Sequence, residues 1–312
     1  MNAYVALSSF AANKNAMSLL AQVADEIVVR KEIERPNKEE LLGLVKDFDI
    51  LIIGVKEKMD YDVFKACTRL KYLCTLSIGT DHINNAFFEA ENVKVIACTD
   101  ANVMTVAEFV FAYVISDMKS FAECNNAFLN RTGRDGICQM PSEMSSKTIG
   151  VIGAGKIAYK FFEITQSFEY TKYCWTLHPE NHSILSEKYG VKFTALSAIL
   201  EESDYILILI PYSDKTHFLI SKELLAQSKS TAKFVNISRM NIIDNDAFFD
   251  KINTGYFHNS LIDCFPDEIS DEQLEKISEK INLSPHVAGI SVESRKRMSN
   301  EVAEKLVETI KS

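Results

Sequence analysis

The sequence predicts an α/β protein of two domains, each built on a parallel sheet, and three observations carry that expectation. Short apolar, β-branched runs alternate with longer helical patterns from one end of the chain to the other. Most of these runs are continuously apolar rather than alternating, the pattern of strands covered on both faces. The chain's 312 residues exceed what one hydrophobic core usually serves, so the alternation divides into two blocks.

In the first block "YVALS", "DILIIGV", "LKYLCTLS" and "VKVIAC" read as buried strands, and "NKEELLGLVKDF" has the spacing of an amphipathic helix. A long helix is expected from Met104 to Asn130, followed by a polar, irregular connector over Arg131 to Ser146. Strands resume with "TIGVIG", "YCWTL", "DYILILIP", "AKFVNIS" and "NSLIDCF", separated by helical patterns such as "KIAYKFFEITQSF" and "NDAFFDKINTG". "SVESRKRMSNEVAEKLVETIKS" closes the chain as one amphipathic helix.

Composition narrows the functional classes. A formal charge of −9 offers no broad basic field, so neither nucleic acid nor a membrane surface is expected as partner. The seven cysteines (Cys67, Cys74, Cys98, Cys124, Cys138, Cys174, Cys264) form no Cys-x-x-Cys pair and no metal-ligand spacing. They read as reduced thiols in a cytoplasmic protein, and no metal site is expected. "MNAYVALSSF" has no basic region before its apolar residues and reads as a first strand, and no apolar run approaches the length of a membrane span.

"TIGVIGAGKIAYKFFE" sets a Gly-x-Gly directly after a strand and at the head of a helix. Gly153 would permit the tight turn, and Gly155 would let a pyrophosphate approach the backbone at the helix N-terminus, with Ala154, Lys156 and Ile157 completing the loop. Ala158, small enough for close helix–strand packing, stands where a third glycine is usual. This context makes a dinucleotide the expected ligand. About twenty residues on, where an acidic residue would hold the ribose hydroxyls of NAD, Thr176 stands at the strand tip, followed by Leu177 and His178. Losing the carboxylate removes a repulsion against a 2′-phosphate, although His178 and His182 are there in place of an arginine. The cofactor reading is therefore NAD or NADP, leaning to NADP.

"VNISRMNIID", "LIDCFPDE" and "LSPHVAG" follow in that order. With the nucleotide loop they make the chain resemble the D-isomer-specific 2-hydroxyacid dehydrogenases. "LKYLCTLSIGTDHI" resembles that family's substrate loop, "NVMTVAEFVFAYVI" its helix crossing between domains, and "PYSDKTHFLI" a cofactor-side loop, so the likeness spans nearly the whole chain. The resemblance implies two Rossmann-like or flavodoxin-like domains with parallel sheets and the active site in the cleft between them. Residues 1–102 plus 288–312 would bind substrate, residues 103–287 would bind the dinucleotide, and two copies would form a homodimer through the long helix. It also implies roles. Arg239 would pair with a substrate carboxylate, His286 would be the general acid/base, and Glu268 would hydrogen-bond that histidine. Ser77, Ile78 and Gly79 would take the carboxylate's other side, while Thr105, Pro211, Thr216, Ser238 and Asp263 would line the cofactor.

The chemistry agrees with this division of labour. Reduction of a 2-oxo acid needs a hydride at C2 and a proton on the new alcohol oxygen, and an imidazole titrates near neutrality. A carboxylate beside it favours the protonated ring, and a guanidinium matches a carboxylate in two-point contact. His82 reads as a loop residue making a local hydrogen bond, and His217 and His258 as surface or structural residues. Met240 after Arg239, Ser146 before the Lys-Thr of "SSKTIG" and Ile208 before Pro211 depart from the family pattern and mark a divergent member. Met240 in particular is expected to reshape the nicotinamide side. The expected function is thus an NAD(P)-dependent oxidoreductase of small 2-oxo or D-2-hydroxy acids. The competing class is a dinucleotide-sensing binding protein, like the corepressors that share this family's fold.

Overall fold

A computed structural model describes residues 1–32, 36–263 and 269–312. The chain forms two compact units, one of Met1–Asn102 with Ile290–Ser312, the other of Val103–Gly289. Among the described residues no helix is long and apolar enough to cross a membrane.

The first unit carries five parallel strands: β1 (Asn2–Val5), β2 (Glu26–Val29), β3 (Ile50–Ile53), β4 (Tyr72–Thr75) and β5 (Lys94–Ala97). They lie in the order β2-β1-β3-β4-β5. The continuous "ILII" of β3 follows from burial on both faces. Ile50 and Ile52 pack with Phe10, Leu20, Val302 and Leu306, while Leu51 and Ile53 pack with Leu41, Val45, Val63 and Phe88. Each such side chain contributes roughly 1.5–3 kcal/mol by leaving water. The final helix, Val292–Lys311, supplies Met298, Val302, Ala303 and Leu306 to the first of these cores. It starts at a reciprocal capping box between Ser291 and Ser294, which satisfies two backbone N–H groups that a helix start leaves open.

The second unit carries seven parallel strands: β6 (Thr148–Ile152), β7 (Thr171–Trp175), β8 (Lys192–Phe193), β9 (Tyr205–Ile208), β10 (Lys233–Asn236), β11 (Leu261–Ile262) and β12 (Asn282–Leu283). Their order is β12-β11-β10-β9-β6-β7-β8. The expected helix from Met104 to Asn130 is two helices, Val103–Met118 and Phe121–Leu129. Ser120 separates them in the left-handed region, at φ 51°, and its hydroxyl donates to the Gln139 carbonyl at 2.8 Å. A serine that bonds elsewhere competes with the helix, and the break follows. The connector after it is anchored as well. Lys233, nearly buried at the start of β10, donates to Asp117 at 2.5 Å and to Gln139 at 2.9 Å.

Candidate functional site

Because every strand of the second sheet is parallel, residues that follow the strands collect along its carboxyl edge. The order β12-β11-β10-β9-β6 sets His286, Asp263, Arg239, Pro211 and Gly153 in a row there. β6 pairs with β7 on one side and β9 on the other, so the strand order reverses at the Gly153 loop. That reversal is where open α/β sheets bind ligands.

Gly153 has φ +106°, and a Cβ on it would lie 3.1 Å from the Leu209 carbonyl oxygen. Its N–H donates to the Trp175 carbonyl at 2.8 Å, so the β6–β7 ladder runs up to the residue at which the chain leaves the sheet. Gly155 differs. It precedes the nine-residue helix Lys156–Ile164, and an added Cβ would meet nothing within 4 Å. The space above Gly155 and the N–H groups of the helix start suit a pyrophosphate, so the loop fits a dinucleotide. Ala154 and Ala158 are buried and Ile157 packs against the same core. Thr176 is half-buried directly after β7, with Leu177 and His178 exposed beyond it. His178 Nδ1 lies 3.2 Å from a Glu180 carboxylate oxygen, and His182 Nδ1 lies 3.1 Å from the Tyr159 hydroxyl.

The loops after β9 and β10 are fastened together. The Thr216 hydroxyl accepts the Ser213 N–H at 2.7 Å and lies 3.0 Å from the Pro211 carbonyl, closing that turn from a buried position. The Ser238 hydroxyl donates to the Ile210 carbonyl at 2.6 Å. Asn236, fully buried, accepts the Ser238 N–H at 2.9 Å and donates to the Arg239 carbonyl at 3.0 Å. It shapes the turn that presents the half-buried Arg239. Met240 follows Arg239 and turns inward. Its side chain is fully buried among Phe248, Ile252 and Ile262, where it anchors the loop by packing.

Asp263 and His286 are coupled through the backbone. His286 sits at φ 56°, in the left-handed region that few non-glycine residues adopt. Asp263, 1% exposed, accepts the Ser284 hydroxyl at 2.5 Å and the N–H groups of Val287 and Ala288, both at 2.8 Å. Three donors from one loop meet one buried carboxylate, and that charge-assisted set holds the strained histidine in place. Glu268 lies outside the described residues. Thr105 is half-buried in the first turn of the helix Val103–Met118.

In the first unit, the loop after β4 contains Ser77, Ile78 and Gly79. Ile78 and Gly79 are exposed, Ser77 is buried. Among the described residues no carbonyl or side chain accepts the N–H of Ser77, Ile78, Gly79 or Thr80. Four open donors in succession can receive an anion. His82 does make a local hydrogen bond, with Nε2 3.0 Å from the Thr75 hydroxyl. In the loop after the neighbouring strand β3, the fully buried Glu57 accepts the Gly54 N–H at 2.8 Å. The buried thiols are not poised as nucleophiles, since burial pushes both Cys98 and Cys174 up to about 12.

Residues 111–288 match the family model of the D-isomer specific 2-hydroxyacid dehydrogenase NAD-binding domain. The chain belongs to that family. This D-2-hydroxyacid dehydrogenase homologue, an oxidoreductase by family with a nicotinamide-dinucleotide domain, is 28% identical over 302 residues to a glyoxylate reductase of Thermofilum pendens. That match covers 95% of this chain and 88% of the relative. A D-3-phosphoglycerate dehydrogenase of Mycobacterium bovis is 25% identical over 294 residues, covering 94% of this chain and 55% of that one. The fold matches a D-lactate dehydrogenase of Aquifex aeolicus solved with NAD and lactic acid, with a TM-score of 0.81 and 22% identity. That alignment covers 100% of this chain and 94% of the other.

Proposed function

We propose that this protein reduces a small 2-oxo acid to the D-2-hydroxy acid with NADH or NADPH, and that His286 is its general acid. The observation that carries this reading is the histidine held at positive φ by Asp263 at the end of a row that begins with the Gly153 loop. Backbone strain maintained by a buried carboxylate supports a positioned catalytic group over a packing residue.

A reduced nicotinamide, when bound, supplies the hydride for the keto carbon. The chain's own residues do the rest. Gly153, Ala154, Gly155, Lys156 and Ile157 receive the pyrophosphate at the helix start, and Pro211, Thr216, Ser238, Asp263 and Thr105 shape the surface along which the dinucleotide lies. Arg239 binds the substrate carboxylate and withdraws charge from the keto oxygen. Ser77, Ile78 and Gly79 receive the same carboxylate through backbone N–H groups. His286 donates its proton to the oxygen as it becomes an alcohol, and Glu268 stabilises the charged ring before transfer. Thr176 leaves room for a 2′-phosphate, and NADPH is the preferred reductant in this reading. Two copies form a homodimer, a part of the proposal supported by the exposed Phe121, Phe128 and Leu129 on one helix.

The test is consumption of NADH and NADPH against glyoxylate, hydroxypyruvate, pyruvate and phenylpyruvate. Turnover with at least one of them is expected. Clear dinucleotide binding without turnover on any of them would favour the sensing protein instead.

A further inference from the structure

The loop after β4 contains a chain of hydrogen bonds whose proton order can be assigned by counting. Ser77 Oγ lies 2.8 Å from the Gly79 carbonyl oxygen, which only accepts, so the one Ser77 hydroxyl hydrogen is committed there. The 2.8 Å contact between Thr75 Oγ1 and Ser77 Oγ then takes its hydrogen from Thr75. Thr75 has no hydrogen left for the 3.0 Å contact with His82, so His82 Nε2 must carry the proton. The order runs His82 to Thr75 to Ser77 to the Gly79 carbonyl. Thr75 is fully buried and Ser77 nearly so, and an unmade hydrogen bond there is costly.

Both ends of this chain are fixed to the fold. The His82 carbonyl accepts the Met59 N–H at 2.8 Å, and the Thr80 carbonyl accepts the Ile83 N–H at 2.8 Å. At the other end, the Gly79 carbonyl is turned onto Ser77. A trans peptide is planar, with its C=O and N–H antiparallel, so holding the Gly79 oxygen inward turns the Thr80 N–H the opposite way. That N–H continues the series of open donors at Ile78 and Gly79.

We propose that His82 is a positioning residue for the anion-receiving loop: as an Nε2–H donor it orders the Thr75 and Ser77 hydroxyls, and these set the peptide orientation that the substrate carboxylate meets. This rests on the reading above that the loop receives that carboxylate. His82 touches neither substrate nor cofactor in this role. Its effect falls on substrate affinity, with little on the chemical step.

The experiment is steady-state kinetics on the full-length protein with the best 2-oxo acid of the panel, together with His82→Leu, His82→Gln, Thr75→Val and Ile78→Pro. His82→Leu is expected to raise KM about tenfold, the size of one lost buried hydrogen bond, with kcat and dinucleotide affinity within about twofold. His82→Gln, whose amide can still donate, is expected to recover most of that loss. Thr75→Val is expected to match His82→Leu, and combining the two to add little further. Nitrogen-15 NMR of labelled histidines at pH 8.5 is expected to report the Nε2–H tautomer for the signal that disappears in His82→Gln. That measurement needs no active variant. An Nδ1–H tautomer, or equal KM values in His82→Leu and the parent, would overturn the proposal. Ile78→Pro deletes one loop donor while keeping the His82, Thr75 and Ser77 side chains, so it separates the two claims. A raised KM there with no effect of His82→Leu defeats the role of His82 alone, whereas an unchanged KM defeats the carboxylate reading itself.

Discussion

Two buried aspartates, Asp49 in the first unit of this dehydrogenase homologue and Asp263 in the second, do opposite work. Asp49 lies at the amino edge of the first sheet, just ahead of β3. It accepts the Asn2 N–H at 2.8 Å and pairs with Arg69 at 3.1 Å and Lys71 at 3.3 Å. Asp263 lies at the carboxyl edge of the second sheet and accepts three donors from the single loop that carries His286. One ties strands and their approaches together; the other holds a residue in a conformation that it would otherwise leave. A buried carboxylate is therefore no mark of a site by itself. The edge of the parallel sheet on which it stands separates architecture from function.

The largest effect should come from Asp263→Asn. The amide would turn hydrogens toward groups that already donate, leaving at least one buried donor without an acceptor. A loss of about 3 kcal/mol of stability is expected in urea unfolding, with turnover falling at least about a hundredfold as His286 loses its support. Stability loss with full activity would break the comparison, because Asp263 would then be as architectural as Asp49.

The glycines of the nucleotide loop sharpen the same distinction. Gly153→Ala strains a backbone at φ +106° against Leu209 and Ile210 and is expected to cost roughly 1–3 kcal/mol of folding stability. Gly155→Ala meets open space, so it should leave the melting temperature unchanged and weaken dinucleotide binding about tenfold or more, read by fluorescence titration.

A third prediction concerns Asp49. Burial works against its charge, but the Asn2 N–H and the Arg69 and Lys71 cations hold its carboxyl at about 2, below the ordinary 3.8. A folded-state value depressed in this way contributes stability above the unfolded value, and that contribution is lost as pH falls from about 4 through 2. Up to about 2 kcal/mol is at stake, and Asp49→Asn should flatten this acid limb without changing turnover at neutral pH. The smallest effect is expected at Thr176. Thr176→Asp should move the ratio of kcat/KM values about tenfold toward NADH, because a carboxylate there repels a 2′-phosphate and accepts from ribose hydroxyls.

Much of this was legible in the residues. The parallel α/β class followed from continuous apolar runs, and the Gly-x-Gly loop and the order of Arg239, Asp263 and His286 followed from short stretches beside strands. Three strands were not. β2 is four residues between charged neighbours, and β8 and β12 are two residues each, too short for a hydrophobic pattern. Asn236 and Ser284 lie inside the stretches that carried the resemblance but drew no role from it, because their work appears only in three dimensions: Asn236 bonds the backbone of Ser238 and Arg239, and Ser284 bonds the Asp263 carboxylate one strand away. The proton order through Thr75 and Ser77 depends on which carbonyl Ser77 reaches, which the local turn of the loop decides and the residue order does not state. The break at Ser120 depends on Gln139, nineteen residues later.

The central claim is that the strained, Asp263-held His286 moves the proton, and His286→Ala tests it most directly. Turnover of the best 2-oxo acid is expected to fall by about 10²–10⁴, while dinucleotide affinity by titration stays within about twofold of the parent. Turnover close to that of the parent, with the variant folded and the dinucleotide bound, would contradict the account.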